Sequence, residues 1–484
     1  MQVPSFTRST LTRLVPTALA VAAALTLAGC AQFSDIGARA EPKTIDTYQS
    51  TLSLASSGAV AWPDDSWWKV YGDTQLNVLI DQALQGAPSL AVAQARLLKA
   101  EGAAQQQGAA LAPDITGNAS LAHMKQSYND GFPPAYVPHG YNNQTHTSID
   151  LSYEIDFWGK NHAALAAATS ELEAARADAA QARMALATSV AAAYAELDNL
   201  FRQRDTDEAA LKVREETVTL FRERRINGLE TEGSVKQVEA RRAMAQADLL
   251  SVDESIGLQR NKLAALIGAG PDRGLQLTRP VIDISKPFGL PPELPVNLLG
   301  RRPDVIAARL RAESAAKQIK VARAQFYPNI NLKAYIGFES LGTTMLKAAG
   351  SDIGSIGPAI SLPIFDGARL RGQFRSASAN YDEAVANYNS AVTQALHDVA
   401  DVAVSEKALG ARLERVEEAA HAAEEAYRIV HNRYQGGLTN YLDVLNAQDA
   451  LLSNLRELSN LQSRMFALDV ALVRALGGGY EHAV

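Results

Sequence analysis

The chain has 484 residues, 47% of them apolar but only 6% aromatic, a formal net charge of −7 and a single cysteine. That length accommodates two or three ordinary domains, and an alanine-rich apolar share fills little core volume, which favours long, thin helical packing. The acidic balance without a basic stripe argues against a nucleic-acid partner, and one cysteine excludes a disulfide framework and a cysteine-based zinc site.

In chain order the N-terminus comes first. Arg8 and Arg13 precede an apolar run from Leu14 to Gly29, 16 residues long. Such a run is too short to span a bilayer comfortably and is typical of a signal-peptide core. It ends in Leu27-Ala28-Gly29-Cys30, which resembles a bacterial lipobox. On that resemblance residues 1–29 are a signal peptide, and Cys30 is the acylated, palmitate-bearing first residue of the mature chain. An ordinary signal peptide with a chance cysteine is the competing reading. It is disfavoured because Cys30 is the only cysteine and stands at the cleavage position. Ala31 follows where an Asp would suggest inner-membrane retention. Cleavage removes two arginines and no acid, which takes the net charge from −7 to −9. No later segment has 18 consecutive apolar residues, so a membrane crossing by the mature chain must be a β-barrel.

The remainder is written twice. Pro88 through Leu111–Ile115 matches Pro303 through Phe326–Ile330 at an offset of 215, and Phe157-Trp158-Gly159 matches Phe365-Asp366-Gly367 at 208. Gly228-Leu229 matches Gly437-Leu438 at 209, as Ile267-Gly268 matches Leu476-Gly477. The drop from 215 to 208 places seven extra residues, a surface loop, between Pro113 and Phe157. Each half reads as a helix of about two dozen residues (88–111, 303–325), a pair of short alternating segments, and then a long proline-free helix. The long helices, 160–226 and 368–434, would each be on the order of 100 Å. A glycine break and a return helix to Ile267 or Leu476 follow. Glycine takes the left-handed conformation at a helix C′ position at little cost, so Gly228 and Gly437 are expected to be hairpin tips.

The short segments alternate with period two. In 147–158, Ile149, Leu151, Tyr153, Ile155 and Phe157 share one face; Ser148, Asp150, Ser152, Glu154 and Asp156 share the other. In 329–340, Ile330, Leu332, Ala334, Ile336 and Phe338 oppose Asn331, Lys333, Tyr335 and Glu339. Segments 355–365 and 115–124 alternate more weakly, and Pro358 and Pro363 are awkward in a central strand. Each has the length of a tilted membrane strand. A soluble sheet with one buried face gives the same alternation. Four strands cannot close a membrane barrel, whose minimum is about eight, and open edges do not occur in lipid. Strands in a membrane therefore require two, three or four chains, a choice that periodicity leaves open. On this reading the barrel lumen would receive Asp150, Glu154, Asp156 and Lys333.

The stretches Ser66–Leu97, Leu298–Glu313, Ala322–Leu332 and Gly437–Leu452 resemble the outer-membrane efflux factor family of the TolC/OprM type, in its lipoprotein subgroup from multidrug efflux systems. The run Arg301-Arg302-Pro303-Asp304-Val305 followed by Phe326-Tyr327-Pro328 is the most specific part. The resemblance covers essentially the whole mature chain. It implies a mainly α fold with a transmembrane β-barrel: a homotrimer with a 12-stranded barrel, continuous with a long α-helical coiled tunnel and girdled by a mixed belt. It also implies localisation in the bacterial outer membrane, anchored through Cys30 and extending into the periplasm. The implied partners are a periplasmic membrane-fusion adaptor, an inner-membrane pump of the RND type and outer-membrane lipid. The expected organisation is an N-terminal belt segment at 30–87, a first repeat at 88–268, a linker at 269–302, a second repeat at 303–477 and a tail at 478–484.

By position in that family, Tyr434, Thr439, Asp443 and Asn446 fall at the narrowed tunnel entrance. Asn446 stands where many relatives have a second carboxylate, and Thr439 where some have Arg, so Asp443 would carry most of the entrance charge. A solvated helix acid is the plain alternative for Asp443. The tips, Asn227-Gly228-Leu229 and Gly437-Leu438, are expected to meet the adaptor. The eight histidines are scattered, and no His-Glu-x-x-His, G-x-S-x-G or Walker sequence occurs, so no catalytic residue, metal or cofactor is expected. The expected function is a passive exit duct for small molecules such as drugs. A polypeptide secretion duct and a non-transporting lipid-anchored helical scaffold are the alternatives.

Overall fold

The computed structural model describes residues 39–49, 53–54, 60–129, 131, 133–283, 287–291, 294–364 and 366–481. The expected signal peptide, Cys30 and Phe365 lie outside them. Among the described residues the element order is α1 (Thr74–Gly86), α2 (Pro88–Ala109), β1 (Asp114–Met124), β2 (Asn142–Glu154), α3 (Lys160–Ile226) and α4 (Glu232–Leu266). There follow α5 (Pro271–Leu275), α6 (Leu294–Arg301), α7 (Pro303–Ala324), β3 (Asn329–Leu341), β4 (Asp352–Ser361), α8 (Gly367–Gln435) and α9 (Tyr441–Ala475). Among the described residues no helix is long and apolar enough to cross a membrane.

The punctuation of these helices is local chemistry used twice. Pro88 and Pro303 open α2 and α7, where a missing N–H costs nothing. The Thr231 hydroxyl accepts the Ser234 N–H at 3.1 Å to start α4, and the Asn440 amide oxygen accepts the Asp443 N–H at 3.1 Å to start α9. Helix α3 ends with Leu229 N–H on the Arg224 carbonyl at 2.8 Å and Gly228 N–H on Arg225 at 3.0 Å. Helix α8 ends with Leu438 on Arg433 at 2.8 Å and Gly437 on Tyr434 at 3.0 Å. These are paired Schellman closures, and both glycines sit at positive φ, +66° and +73°.

The chain divides into two compact units. The first contains residues 98–174 and 308–387, the second 43–97, 175–307 and 388–484. Each therefore draws on both repeats.

In the first unit the strands form one antiparallel sheet of order β1-β2-β3-β4. The register aligns Thr116, Asp150, Tyr335 and Ser355 in one row and Ile115, Leu151, Ala334 and Ile356 in the next. The two faces are thus chemically distinct. Ile115, Leu121, Ile149, Ile336, Phe338, Ile356 and Ile360 are all exposed on one of them. Gly337 lets β2 and β3 approach closely: a Cβ there would lie 2.0 Å from the Thr147 carbonyl oxygen. Pro358 lies opposite Leu332 on β4, an edge strand of this sheet, which is where a residue without an N–H is tolerated. Residues 125–141 join β1 to β2, seven more than 342–351 between β3 and β4, so the offset between repeats does mark a loop.

The strand ends differ from expectation. Strand β2 begins at Asn142 and stops at Glu154; Ile155 still donates its N–H to the Ile330 carbonyl at 2.9 Å, but Phe157 N–H turns back to the Ile155 carbonyl, so Asp156 and Phe157 do not continue the alternation. The Asp156 carboxylate instead accepts the His162 N–H at 2.9 Å and meets His162 Nδ1 at 2.6 Å over the first turn of α3. The demand of that helix N-terminus for an acceptor outweighs the period-two pattern. Likewise β4 is Asp352–Ser361, shifted from the expected 355–365.

In the second unit the core is built on α3. Trp67, Trp68, Tyr71, Leu76, Leu79 and Ile80 from the N-terminal segment pack with Val190, Tyr194 and Leu197 of α3, Leu263 of α4, Leu277 of the linker and Phe466 and Val473 of α9. Trp67 and Trp68 are both buried in this core.

Candidate functional site

Three groups of polar and charged side chains stand out. The first is the polar face of the sheet. Asp150 accepts Ser148 Oγ at 2.6 Å and Asn118 Nδ2 at 2.7 Å. Glu154 pairs with Lys160 at 2.5 Å. Lys333, opposite Ser152 and Gly357 in the register, shares this face with both acids. Nearer the 125–141 loop, Glu339 is held by Gln144 Nε2 and lies 3.8 Å from His146 Nδ1. Asp156 is absent from the face because it caps α3. At the other strand end Trp158 stacks on Tyr327 with centroids 4.6 Å apart, its indole N–H donating to the Pro328 carbonyl at 2.8 Å. Half-exposed Trp158 and exposed Phe157 give this end of the sheet an aromatic rim of the sort found at membrane–water boundaries.

The second group lies where the two hairpins meet. Tyr434 is buried at 3% exposure. Its hydroxyl donates to Glu230 at 3.3 Å, Arg224 lies 5.0 Å over its ring, and Phe221 and Tyr441 pack beside it. Burial raises its pKa to about 12; the Arg224 cation pulls against this, and the Glu230 charge and hydrogen bond add smaller upward effects. Tyr434 therefore faces inward and ties the second hairpin to the first. Thr439 donates to the Asp443 carboxylate within the first turn of α9, and Asp443 and Asn446 are exposed. The four expected entrance residues thus fall into one inward anchor and an exposed polar turn. Asn227, Gly228, Leu229, Gly437 and Leu438 are all exposed, Leu229 at 64% and Leu438 at 72%. Behind them ion pairs staple the helices: Arg214 and Arg241 both reach Asp449, at 2.5 and 3.1 Å, and Arg456 reaches Asp207 at 2.5 Å.

The third group surrounds the Arg301-Arg302-Pro303-Asp304 run. Arg302 is 5% exposed. It grips Asp304 with Nε at 3.0 Å and Nη2 at 2.6 Å, reaches Asp398 of α8 at 2.7 Å and approaches the Ala475 carbonyl at 3.4 Å. Burial opposes its charge, but the two acids more than offset that and raise its pKa. Arg301 lies 4.9 Å over the Trp62 ring and pairs with Glu481 at 2.7 Å. The Arg-Arg-Pro-Asp run therefore joins α7, α8, α9 and both terminal segments. Asp73 accepts the Gln75 and Leu76 N–H groups, the Tyr194 hydroxyl at 2.8 Å and the Val281 N–H at 2.7 Å. Burial, together with Asp73, pushes the Tyr194 hydroxyl well above the ordinary phenol range. The motif's specificity was visible in the sequence; its partners, 96 and 173 residues away, were not. No group of side chains that could hold a metal ion occurs among the described residues.

Comparison with known proteins completes this picture. A family model described as outer membrane efflux protein matches residues 79–269 and 294–478. The chain is 31% identical over 438 residues to the multidrug resistance outer membrane protein MdtP of Escherichia coli, covering 89% of each chain. It is 36% identical over 373 residues to the fusaric acid resistance protein FusA of Burkholderia cepacia, covering 75% of this chain and 69% of that one. Among solved structures, the outer membrane protein VceC of Vibrio cholerae superposes with a TM-score of 0.82 at 50% identity, over 87% of this chain and 100% of that one. The outer-membrane channel OprN does so with a TM-score of 0.81 at 27% identity, over 92% and 98%.

Proposed function

The chain belongs to the outer membrane efflux protein family, and on that premise we propose that it is the exit duct of a tripartite efflux system, working as a homotrimer. The observation that carries this reading is the sheet: four strands with one exposed apolar face, one polar face and both edge strands unpaired among the described residues. Such a sheet cannot sit in lipid alone. Three copies supply twelve strands, within the range of membrane barrels, with the apolar face to lipid and Asp150, Glu154 and Lys333 to the lumen. Each repeat, 88–268 and 303–477, gives two strands and one helical hairpin.

Acylated Cys30 anchors the chain to the same outer membrane, and more than one acyl chain makes such attachment stable. Asp443 and Asn446, exposed beside the second tip, line the entrance. Tyr434 with Glu230 and Arg224 sets the position of that tip. Leu229 and Leu438 are the contact points for a periplasmic adaptor, which links the duct to an RND-type inner-membrane pump. The duct is passive, the inner-membrane pump supplying the energy. FusA is named for fusaric acid resistance and MdtP for multidrug resistance, and by likeness the cargo is small and organic.

Two measurements test this together. Purified protein in planar bilayers should open pores, and a deletion strain should gain susceptibility to drugs, dyes and detergents. Pores with unchanged susceptibility and a blocked secreted polypeptide would favour a secretion duct. A water-soluble monomer that forms no pores would leave a lipid-anchored scaffold.

A further inference from the structure

The short helix of the second repeat is seated between two long helices. Ile319 and Ala322 of α7 pack on Phe374 of α8. The adjoining face of α7 meets α3: the Ser314 hydroxyl donates to the Ala167 carbonyl at 2.9 Å, and Arg311 lies 3.6 Å from Glu171. Leu310 and Ser314 are buried, and so are Ala163, Ala167, Ser170 and Ala174, which share one face of α3 at helical spacing. Helix α2 of the first repeat has the same length and the same opening proline, yet none of its residues is buried. It lies on its own α3, where Leu165 stands beside Gly108 and Asn161 donates to the Ala110 carbonyl at 3.5 Å. Its adjoining face, with Ala95, Arg96 and Lys99 in the places of Leu310, Arg311 and Ser314, is exposed. The matching face of α8 is exposed too. At the 209-residue offset of the tips, which also puts Phe374 where α3 has Leu165, that face is Gly372, Ser376, Ala379 and Glu383. Contacts therefore run α2–α3–α7–α8 with an open face at each end of the row, just as β1 and β4 are the edges of the sheet.

We propose that α2 of one copy seats on this face of α8 of the next, in the register that α7 takes on α3, and that Arg96 pairs with Glu383 across the seam. The inference rests on the homo-oligomeric reading of the chain and names the helical surface that joins its copies. The repeat supplies the register. Ser314 over Ala167 puts Lys99 over Ser376, and Arg311 beside Glu171 puts Arg96 beside Asn380, one turn from Glu383. Arg96 and Glu383 are exposed, opposite in charge and free of ion pairs among the described residues. Gly372, Ser376 and Ala379 are as small as the α3 residues beneath α7, so a helix can approach this face as closely. An open face at one end of the row and its complement at the other make a head-to-tail contact, which closes into a ring where the rotation per copy allows. The same rotation carries β4 of one copy to β1 of the next, so strands and helices are completed by one movement.

The test is a charge exchange in the purified full-length protein in mild detergent, read as the temperature at which the oligomer separates into single chains on a semi-native gel. Arg96→Glu and Glu383→Arg each turn an attraction into a repulsion in every copy at once, and each should lower that temperature by several degrees. The double variant should regain most of the loss. Separately, Lys99→Cys combined with Ser376→Cys should join different copies on oxidation, whereas neither cysteine alone should. Single reversals without effect, or a double variant in which the losses add, would overturn the ion pair. Cysteines that never join copies would overturn the seam and give the α8 face to another occupant, such as the N-terminal arm whose Ala40 N–H donates to Asp382 at 3.0 Å. An oligomer that forms pores but shows neither response leaves the duct reading standing, and a monomer without pores removes that reading as well.

Discussion

The two halves of the chain end their long helices with the same pair of hydrogen bonds, from Leu229 and Gly228 in one and from Leu438 and Gly437 in the other. The side chains around these closures differ. At the first tip Arg222 pairs with Glu239 at 2.7 Å and Arg225 with Glu232 at 2.6 Å, and Lys236 reaches Glu239 at 2.9 Å. At the second, the exposed polar turn is Thr439 on Asp443. The same divergence appears where the short helices begin. Arg302 precedes Pro303 and draws in Asp304, Asp398 and Ala475, whereas Ala87 precedes Pro88 at the matching place and is simply buried. The repeat thus fixes backbone punctuation, and each half places its own chemistry on the shared frame.

The comparison can be broken at its most unequal point first. Arg302→Ala removes the cation that Asp398 and Asp304 share and should cost about 3 kcal/mol, the low end for a broken buried pair because both acids are partly exposed. Ser89→Ala, the first repeat's counterpart of an Asp304 change, should be near neutral. Urea unfolding of both variants measures the gap, and equal losses would mean that the halves are pinned alike. At the matched closures the expectation reverses. Gly228→Ala and Gly437→Ala should each cost about 1–2 kcal/mol, because both positions require positive φ, and the two losses should agree.

A smaller effect sharpens the difference between the tips. Tyr434→Phe deletes one hydrogen bond to Glu230 and should lower stability by about 1 kcal/mol. On the entrance reading it should also raise single-channel conductance, whereas Thr439→Ala changes ion selectivity through Asp443. The smallest effect is a matter of pH. Hydrogen bonds from Arg222 and Lys236 hold Glu239 down to about 2. With the folded pKa below the unfolded one, this contribution is present above pH 4.5 and lost as pH falls toward 2. Amide exchange around 232–239 should therefore quicken over that window, and Glu239→Gln should remove the pH dependence.

Much of this architecture was legible in the sequence, for identifiable reasons. Helix α3 runs over 160–226 as read, because proline-free periodic segments closed by glycine carry their boundaries locally. The two sheet faces were legible because side chains alternate strictly along a strand. The strand ends were not: Asp156 fits the alternation equally well as it fits a helix cap, and only the presence of the α3 N-terminus decides between them. Tyr434, Thr439, Asp443 and Asn446 were singled out by position, but that Tyr434 faces inward depends on Glu230 and Arg224, more than 200 residues away. The role of Arg302 was invisible for the same reason: it depends on partners that only the folded chain brings together.

The account rests on a sheet that several chains must complete. Its most direct test is disulfide trapping between β1 and β4 in the membrane, with cysteine at Asn118 and at successive positions from Ile353 to Gly357. Within one chain these strands are separated by β2 and β3. The account predicts oxidised products that climb to three linked chains and stop there. Chains that never cross-link, or that remain single and release into water without detergent, would contradict it.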